Sequence, residues 1–207
     1  MKLKTSFALS ILSIAATILF TTACESPSRL ASKIEGLWSG TSERFDKQIV
    51  SDGTYTPVYE FSRSDRRPDG VVTLSAQVSV TMPINSKVSA EGTAPVSATA
   101  AALATVSGTW FADDDDELKI AFDPSTLTVT MDPDLQFAIA DVYTNFDTDS
   151  VATVPAPVMK AFSEQIRRGM NDVISKVHEF DDIHFNTDDM MTAKVAKTRR
   201  TFTRSAN

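Results

Sequence analysis

Residues 71–82 read VVTLSAQVSVTM and alternate strictly between apolar and polar positions. Because successive side chains of a β-strand point to opposite faces, this period of two predicts one long strand. A strand with one apolar and one hydroxyl-rich face is typical of an antiparallel sheet that buries a single side. The predicted buried face comprises Val72, Leu74, Ala76, Val78, Val80 and Met82.

Shorter alternating segments, separated by turn signals, surround this strand. Residues 96–107 contain enough alanine for a helix, but their valines, threonines and strand neighbours favour an extended segment. Eight to ten regularly spaced strands indicate a barrel or a sandwich, and we predict a mainly β protein with an antiparallel barrel. The remaining strands are expected near residues 34–43, 58–62, 105–112, 117–123, 126–131, 135–143, 183–185, 190–197 and 200–204.

One late segment has a helical period. Apolar residues recur every three or four positions between residues 156 and 180, beginning beside Pro155 and Pro157. This spacing predicts an amphipathic helix that packs against an open end or a flank of the barrel. Its apolar stripe is Met159, Phe162, Ile166, Met170, Val173 and Val177.

The N-terminus has the layout of a secretory signal peptide, with Lys2 and Lys4 followed by a short apolar run. Cys24, the only cysteine, follows Ala23 directly. This placement resembles a bacterial lipobox, which implies cleavage before Cys24 and attachment of diacylglycerol and acyl chains to it. An ordinary signal peptide cut near Ala23, leaving a free thiol, is the alternative.

These features predict three regions: a signal peptide over residues 1–23, a polar tether over 24–33, and a single barrel domain over 34–207. The expected location is the bacterial cell envelope. Glu25 follows the cysteine where some inner-membrane lipoproteins have aspartate, so the outer membrane is favoured.

The charge of the chain argues against nucleic acid as a partner. Its net charge is −7, and removing Lys2 and Lys4 with the signal peptide leaves −9. An acidic protein is a poor ligand for a polyanion. Acidic residues concentrate in residues 111–150 and basic residues after Met190, which predicts solvated faces of opposite sign or, alternatively, an interaction surface.

Both tryptophans lie two residues after a glycine, as Gly36/Trp38 and Gly108/Trp110. A glycine in a strand allows close approach of a neighbour, and an inward tryptophan then fills the adjacent layer. Together with Cys24, the acidic turn ADDDDELKI and the ending RRTFTR, these motifs resemble the lipocalin and calycin superfamily. More specifically, the layout resembles lipocalin-like lipoproteins of Bacteroidetes-type bacteria.

The resemblance covers most of residues 34–204 and implies a lipocalin-like barrel. It also implies that an arginine of the last strand packs across Trp38, and Arg200 and Arg204 are both candidates. The chain departs from the lipocalin pattern because two or more strands are predicted after the late helix.

No motif in the sequence points to catalysis, and we predict no enzyme activity, no cofactor and no metal. His178 and His184 match no zinc signature, and no G-x-S-x-G or P-loop is present. Asp113 to Asp116 are consecutive and lack the glycine of a calcium loop, so they predict a solvated hairpin tip.

The leading functional prediction is a membrane-anchored, non-catalytic protein that binds a small apolar ligand in the barrel or at its mouth. An eight-stranded barrel either fills itself with side chains or encloses one ligand. The alternative is therefore a filled barrel that binds another protein or has a structural role in the envelope. The sequence identifies no protein partner.

Overall fold

The computed structural model describes residues 26–84, 96–132 and 156–205. The predicted signal peptide, Cys24 and the strand expected at residues 135–143 lie outside these ranges. Two α-helices are present in the described part, Pro27–Ile34 (α1) and Ala156–Lys176 (α2). The strands are Gly36–Gly40 (β1), Glu43–Arg44 (β2), Gly53–Arg63 (β3), Asp69–Ile84 (β4), Val96–Ala112 (β5), Leu118–Phe122 (β6), Thr128–Met131 (β7), Glu179–Thr187 (β8), Met190–Val195 (β9) and Thr198–Arg204 (β10).

Eight strands form a closed antiparallel barrel, which confirms the predicted fold class. Neighbours around the barrel follow the order β1, β10, β9, β8, β6, β5, β4 and β3, and pairing of β1 with β3 closes it. The short strands β2 and β7 pair with β3 and β5 respectively, outside the closed ring.

The long predicted strand is β4, and its alternation is confirmed by burial. Residues 96–107 are extended within β5, as predicted, and Leu74 pairs with Val106 in the register of these two strands. The inward face of β5 carries small side chains, because buried alanines occupy four successive inward positions: Ala98, Ala100, Ala102 and Ala104.

Helix α2 covers this alanine face. The strands β4 and β5 extend well beyond the five residues of β6, and α2 packs on β4, β5 and β7. Small side chains on the sheet allow the helix to approach closely. Phe162, Ile166, Met170 and Val173 of the predicted apolar stripe are buried in the helix, whereas Met159 is half-buried. The helix ends at Lys176 rather than residue 180, because Glu179 already begins β8.

Most of the segment predicted as a tether, residues 24–33, belongs to the helix Pro27–Ile34. Leu30, Ala31 and Ile34 are buried, and α1 packs against β3 and β5 at one end of the barrel. Their spacing places them on one face of a helical turn. In the described part of the chain, α1 therefore packs with the barrel, and the late helix is accompanied by a second one.

Aromatic side chains fill the barrel interior. Tyr59 lies 5.0 Å from Phe180 and 5.8 Å from Phe202 between ring centroids, and Phe61 lies 5.8 Å from Trp110. These rings are fully or almost fully buried. Edge-to-face pairs of this kind add about 0.5–1.5 kcal/mol each beyond area burial. The interior around them is a packed core.

Candidate functional site

The first tryptophan motif is a structural clamp at the α1 end of the barrel, the end that holds Gly36, Phe61 and Gly108. The guanidinium of Arg204 lies 4.4 Å from the ring centroid of Trp38. It also donates to three backbone carbonyls: Lys33 O at 2.6 Å, Glu35 O at 2.6 Å and Asp188 O at 3.1 Å. Of the two arginines considered from the sequence, Arg204 is the one placed across Trp38.

At both glycines of the motifs, a larger side chain would clash with a neighbouring group. Gly36 has φ +118°, and an added Cβ would lie 2.8 Å from Arg204 Nη1. At Gly108 an added Cβ would lie 2.4 Å from the carbonyl oxygen of Ala121, on the neighbouring strand β6. Glycine thus brings the arginine to β1 and brings β6 to β5.

The second tryptophan is also structural. Trp110 is buried, and its indole N–H donates to Val71 O at 3.1 Å and Ser62 O at 3.3 Å. Trp38 similarly donates to Ile34 O at 2.6 Å. Each indole therefore finds a backbone acceptor, and the two motifs stabilise the α1 end rather than form a binding site.

Arg200 lies at the opposite end, which we call the α2 end. Its Nη2 atom is 2.8 Å from Glu43 Oε2, and the Tyr55 hydroxyl donates to the same oxygen at 2.8 Å. The Arg200 side chain is 15% exposed. Burial, followed by the hydrogen bond to Glu43, raises the pKa of Tyr55, so this hydroxyl stays a donor at neutral pH.

Two polar atoms beside this network have no partner among the described residues: the Tyr59 hydroxyl and Arg200 Nη1, both buried. Burial also raises the pKa of Tyr59, which keeps the phenol neutral. A buried polar group without a hydrogen bond costs about 1–3 kcal/mol. The floor of the α2 end is therefore a polar cluster that the described part of the chain satisfies only in part.

A pocket of about 210 Å³ opens over this cluster, and we call it the mouth pocket. Its volume is space for about seven waters at about 30 Å³ each. Strands β2, β3 and β10, the last turns of α2 and the turn after β9 surround it. The lining residues are Glu43, Arg44, Phe45, Asp46, Tyr55, Asp172, Val173, Lys176, Val177, Ala196 and Arg200.

The charges that line the mouth pocket cancel. Lys176 lies 2.7 Å from Asp172 and 3.6 Å from Asp46, and its hydrogen bond to Asp172 raises the pKa of the ammonium. With Arg200 paired to Glu43, and Arg44 also on the rim, three basic and three acidic side chains face the pocket. The pocket therefore favours neither an anion nor a cation by net charge.

The remaining residues singled out from the sequence do not converge. The His178 carbonyl accepts a hydrogen bond from Ile120 N, and His184 pairs with Thr192 on β9. Among the described residues, no group of three or more His, Cys, Asp or Glu could hold a metal ion. No helix in the described part is long and apolar enough to cross a membrane.

The acidic run forms the turn between β5 and β6. Asp113 N donates to Glu117 O at 3.0 Å, which closes the turn. Partial burial raises the pKa of Asp116, and the neighbouring carboxylates Asp115 and Asp114 raise it further. Burial is the larger cause of this pKa shift, and repulsion among the carboxylates adds to it.

Sequence reasoning missed Glu43, Tyr55 and Tyr59. The alternation of Tyr55, Tyr59 and Phe61 places the three rings on one face of β3, so their inward direction could have been read from the sequence. Nothing in the sequence marks Glu43 as the partner of Arg200, since 157 positions separate them. Comparison with protein-family models, curated protein sequences and solved structures finds no match to this chain.

Proposed function

We propose that this protein is a non-catalytic binding protein of the bacterial cell envelope, anchored to a membrane through lipidated Cys24. Its ligand is a small polar molecule without net charge, a zwitterion included, held in the mouth pocket. The observation that carries the proposal is the pocket itself, with the Glu43–Arg200–Tyr55 cluster as its floor and balanced charges on its rim.

The mouth pocket supports a polar ligand better than an apolar one. Stacked and edge-to-face rings occupy the barrel interior around Tyr59 and Phe180, where an apolar molecule would have to displace them. The pocket walls instead present carboxylate, guanidinium and ammonium groups. A few placed polar groups in a concave site are what orient a small ligand. Of the two places predicted from the sequence, the barrel interior and its mouth, the proposal keeps the mouth, and it changes the ligand from apolar to polar.

Membrane anchoring draws support from the position of the folded domain. Pro27, the first residue of α1, is three residues after Cys24. A thioether-linked diacylglycerol with a further acyl chain would hold the protein firmly, because each buried CH₂ contributes about 0.8 kcal/mol. Replacing Cys24 with serine should abolish acylation, so the intact mass of the mature protein checks this part of the proposal.

The ligand is tested by native mass spectrometry of the protein extracted from its own membrane in mild detergent. We expect one small, non-covalent adduct per chain. In the Lys176→Gln variant, which alters the pocket rim, the fraction carrying the adduct should fall. Lys160→Gln is the matched control, because Lys160 lies on the same helix, is exposed and does not line the pocket. Wild-type protein without an adduct would contradict the proposal.

The alternative predicted from sequence, a filled barrel that binds another protein, draws on the packed interior. Its interaction surface would be the acidic loops or the basic edge, and the basic side chains of that edge are largely paired. Lys194 and Arg199 both contact Asp182, Arg200 is bound to Glu43 and Arg204 to backbone carbonyls. The described C-terminal strands therefore offer little unpaired positive charge to an acidic partner.

A further inference from the structure

The outer wall of the barrel carries an apolar patch at the α1 end. Val71 is 50% exposed and Phe111 is 47% exposed. They lie on the adjacent strands β4 and β5, where Val71 pairs with Thr109 and Phe111 with Asp69. A groove of about 590 Å³ beside them is lined further by Pro68 and by Trp110. We call Val71, Phe111 and this groove the wall patch.

The wall patch and the mouth pocket lie at opposite ends of the barrel. Gly36 pairs with Phe61, Phe61 with Val72 and Val72 with Gly108, so these four residues form one row around the α1 end. The wall patch is within a few residues of that row. The mouth pocket belongs to the start of β3 and β10, beside the C-terminal part of α2.

The chain ahead of α1 indicates what covers the wall patch. Helix α1 packs across the α1 end against β3 and β5 and is about 12 Å long. The three residues from Cys24 to Pro27 span at most about 11 Å. We propose, resting on the lipid anchor of the proposed function, that the wall patch lies against the phospholipid bilayer. The mouth pocket then opens away from the membrane.

The charges near the patch specify the kind of lipid. The turn after Phe111 carries five consecutive carboxylates, Asp113 to Glu117. On the other side, the turn between β3 and β4 carries Arg63, Arg66 and Arg67 together with Asp65 and Asp69, and Arg67 is paired with Asp69 at 2.8 Å. The carboxylates of the two turns still outnumber these three cations. Anionic headgroups would be repelled by this end of the barrel, whereas zwitterionic headgroups would not. The surface therefore suits a leaflet rich in phosphatidylethanolamine or phosphatidylcholine.

The experiment places a fluorophore at either end of one strand while keeping the apolar side chains. Thr109 and Ala101 are both exposed on the outer face of β5 and lie about 26 Å apart. Thr109→Cys and Ala101→Cys are labelled with nitrobenzoxadiazole in the lipidated protein, in which Cys24 carries no free thiol. The protein is reconstituted into phosphatidylcholine vesicles that contain a spin-labelled phosphatidylcholine as quencher.

We expect lipid quenching at position 109 and not at position 101. Val71→Ser and Phe111→Ser, added separately, should each weaken the association of the wall patch with the bilayer about fivefold. The effect is moderate because only the exposed half of each side chain can enter the lipid. Leu103→Ser is the matched control, because Leu103 is 48% exposed on the outer face of the same strand, toward its other end. Vesicles containing phosphatidylglycerol should quench position 109 less.

Three results would overturn the proposal. Equal quenching at both positions, or none at either, in protein whose intact mass shows acyl chains would remove the orientation and keep the anchor. A probe at position 109 that is shielded from water but not quenched by lipid would show that a protein covers the patch. An intact mass without acyl chains would remove the anchor of the proposed function, and this inference with it.

Discussion

Two tyrosine hydroxyls on β3 differ in their hydrogen bonding, and this difference should change the free energy of unfolding. Tyr55 donates to Glu43, whereas the Tyr59 hydroxyl is buried without a partner among the described residues. Tyr59→Phe should raise the free energy of unfolding by about 1 kcal/mol, because it removes an unsatisfied polar group and keeps the ring. Tyr55→Phe should lower it by about 1 kcal/mol. Urea denaturation of the two variants measures both values.

Comparing the Tyr55→Phe and Tyr59→Phe variants also tests whether the Tyr59 hydroxyl is unpaired in solution. If Tyr59→Phe is instead as destabilising as Tyr55→Phe, the Tyr59 hydroxyl has a partner in solution. A buried water or a bound molecule beside Arg200 Nη1 would be that partner, and the unpaired state of the cluster would be contradicted.

Arg204 illustrates why two arginines of one strand are not equivalent. Its guanidinium combines three backbone carbonyl acceptors with the face of Trp38. Arg204→Lys keeps the charge but loses the planar fork, and should lower the free energy of unfolding by about 2 kcal/mol or more. Arg199→Lys is the control, since Arg199 makes one exposed contact with Asp182 and should change stability by less than about 1 kcal/mol. Equal losses in thermal or urea denaturation would contradict the clamp.

At the scale of elements, α1 is the helix that the sequence pattern does not predict. Isolated helices shorter than about 12–15 residues are marginal, so an eight-residue segment between Pro27 and Ile34 forms because it docks on the barrel. Its polar residues outnumber the three that are buried, and the segment reads as a tether. The amphipathic stripe of α2, by contrast, repeats over five turns and is recognisable without the barrel.

The role of α1 can be measured through Leu30, which is buried against the barrel end. Leu30→Ala should lower the free energy of unfolding by about 2–4 kcal/mol, because it leaves a cavity between α1 and the core. Ser32→Ala on the exposed face of the same helix should have little effect. A Leu30→Ala protein with unchanged urea denaturation would mean that the segment behaves as a tether after all.

The strands themselves were predictable where packing is one-sided. The alternation of β4 survives into the fold because one face meets the core and the other meets water. The alanine-rich part of β5 was ambiguous from sequence. In the fold its inward alanines are buried and α2 packs on β5, so the composition fits a strand covered by a helix.

At the scale of the whole molecule, the barrel is easier to predict from the sequence than the mouth pocket. Local patterns determine strands and the late helix, and the short connections between strands favour an antiparallel barrel. The mouth pocket draws on Glu43 and Tyr55 of the paired strands β2 and β3, on Lys176 of α2 and on Arg200 of β10, which are three separate parts of the chain. Only the register of β1 with β10 and the position of α2 bring them together, and no local pattern encodes that register.

The two ends of the barrel also differ in what they carry. The α1 end holds the tryptophan clamp, the wall patch and helix α1. The α2 end holds the mouth pocket. In our account the first end is for attachment and the second for binding, with a packed aromatic core between them.

The most direct test is a crystal structure of the protein purified from its own membrane without refolding. The account predicts electron density for a small polar molecule in the mouth pocket, within hydrogen-bonding distance of the Arg200–Glu43 pair or Lys176, with the rings of Tyr59, Phe180 and Phe202 in contact as described. An apolar molecule seated among those rings, or a mouth pocket that contains solvent alone, would contradict it.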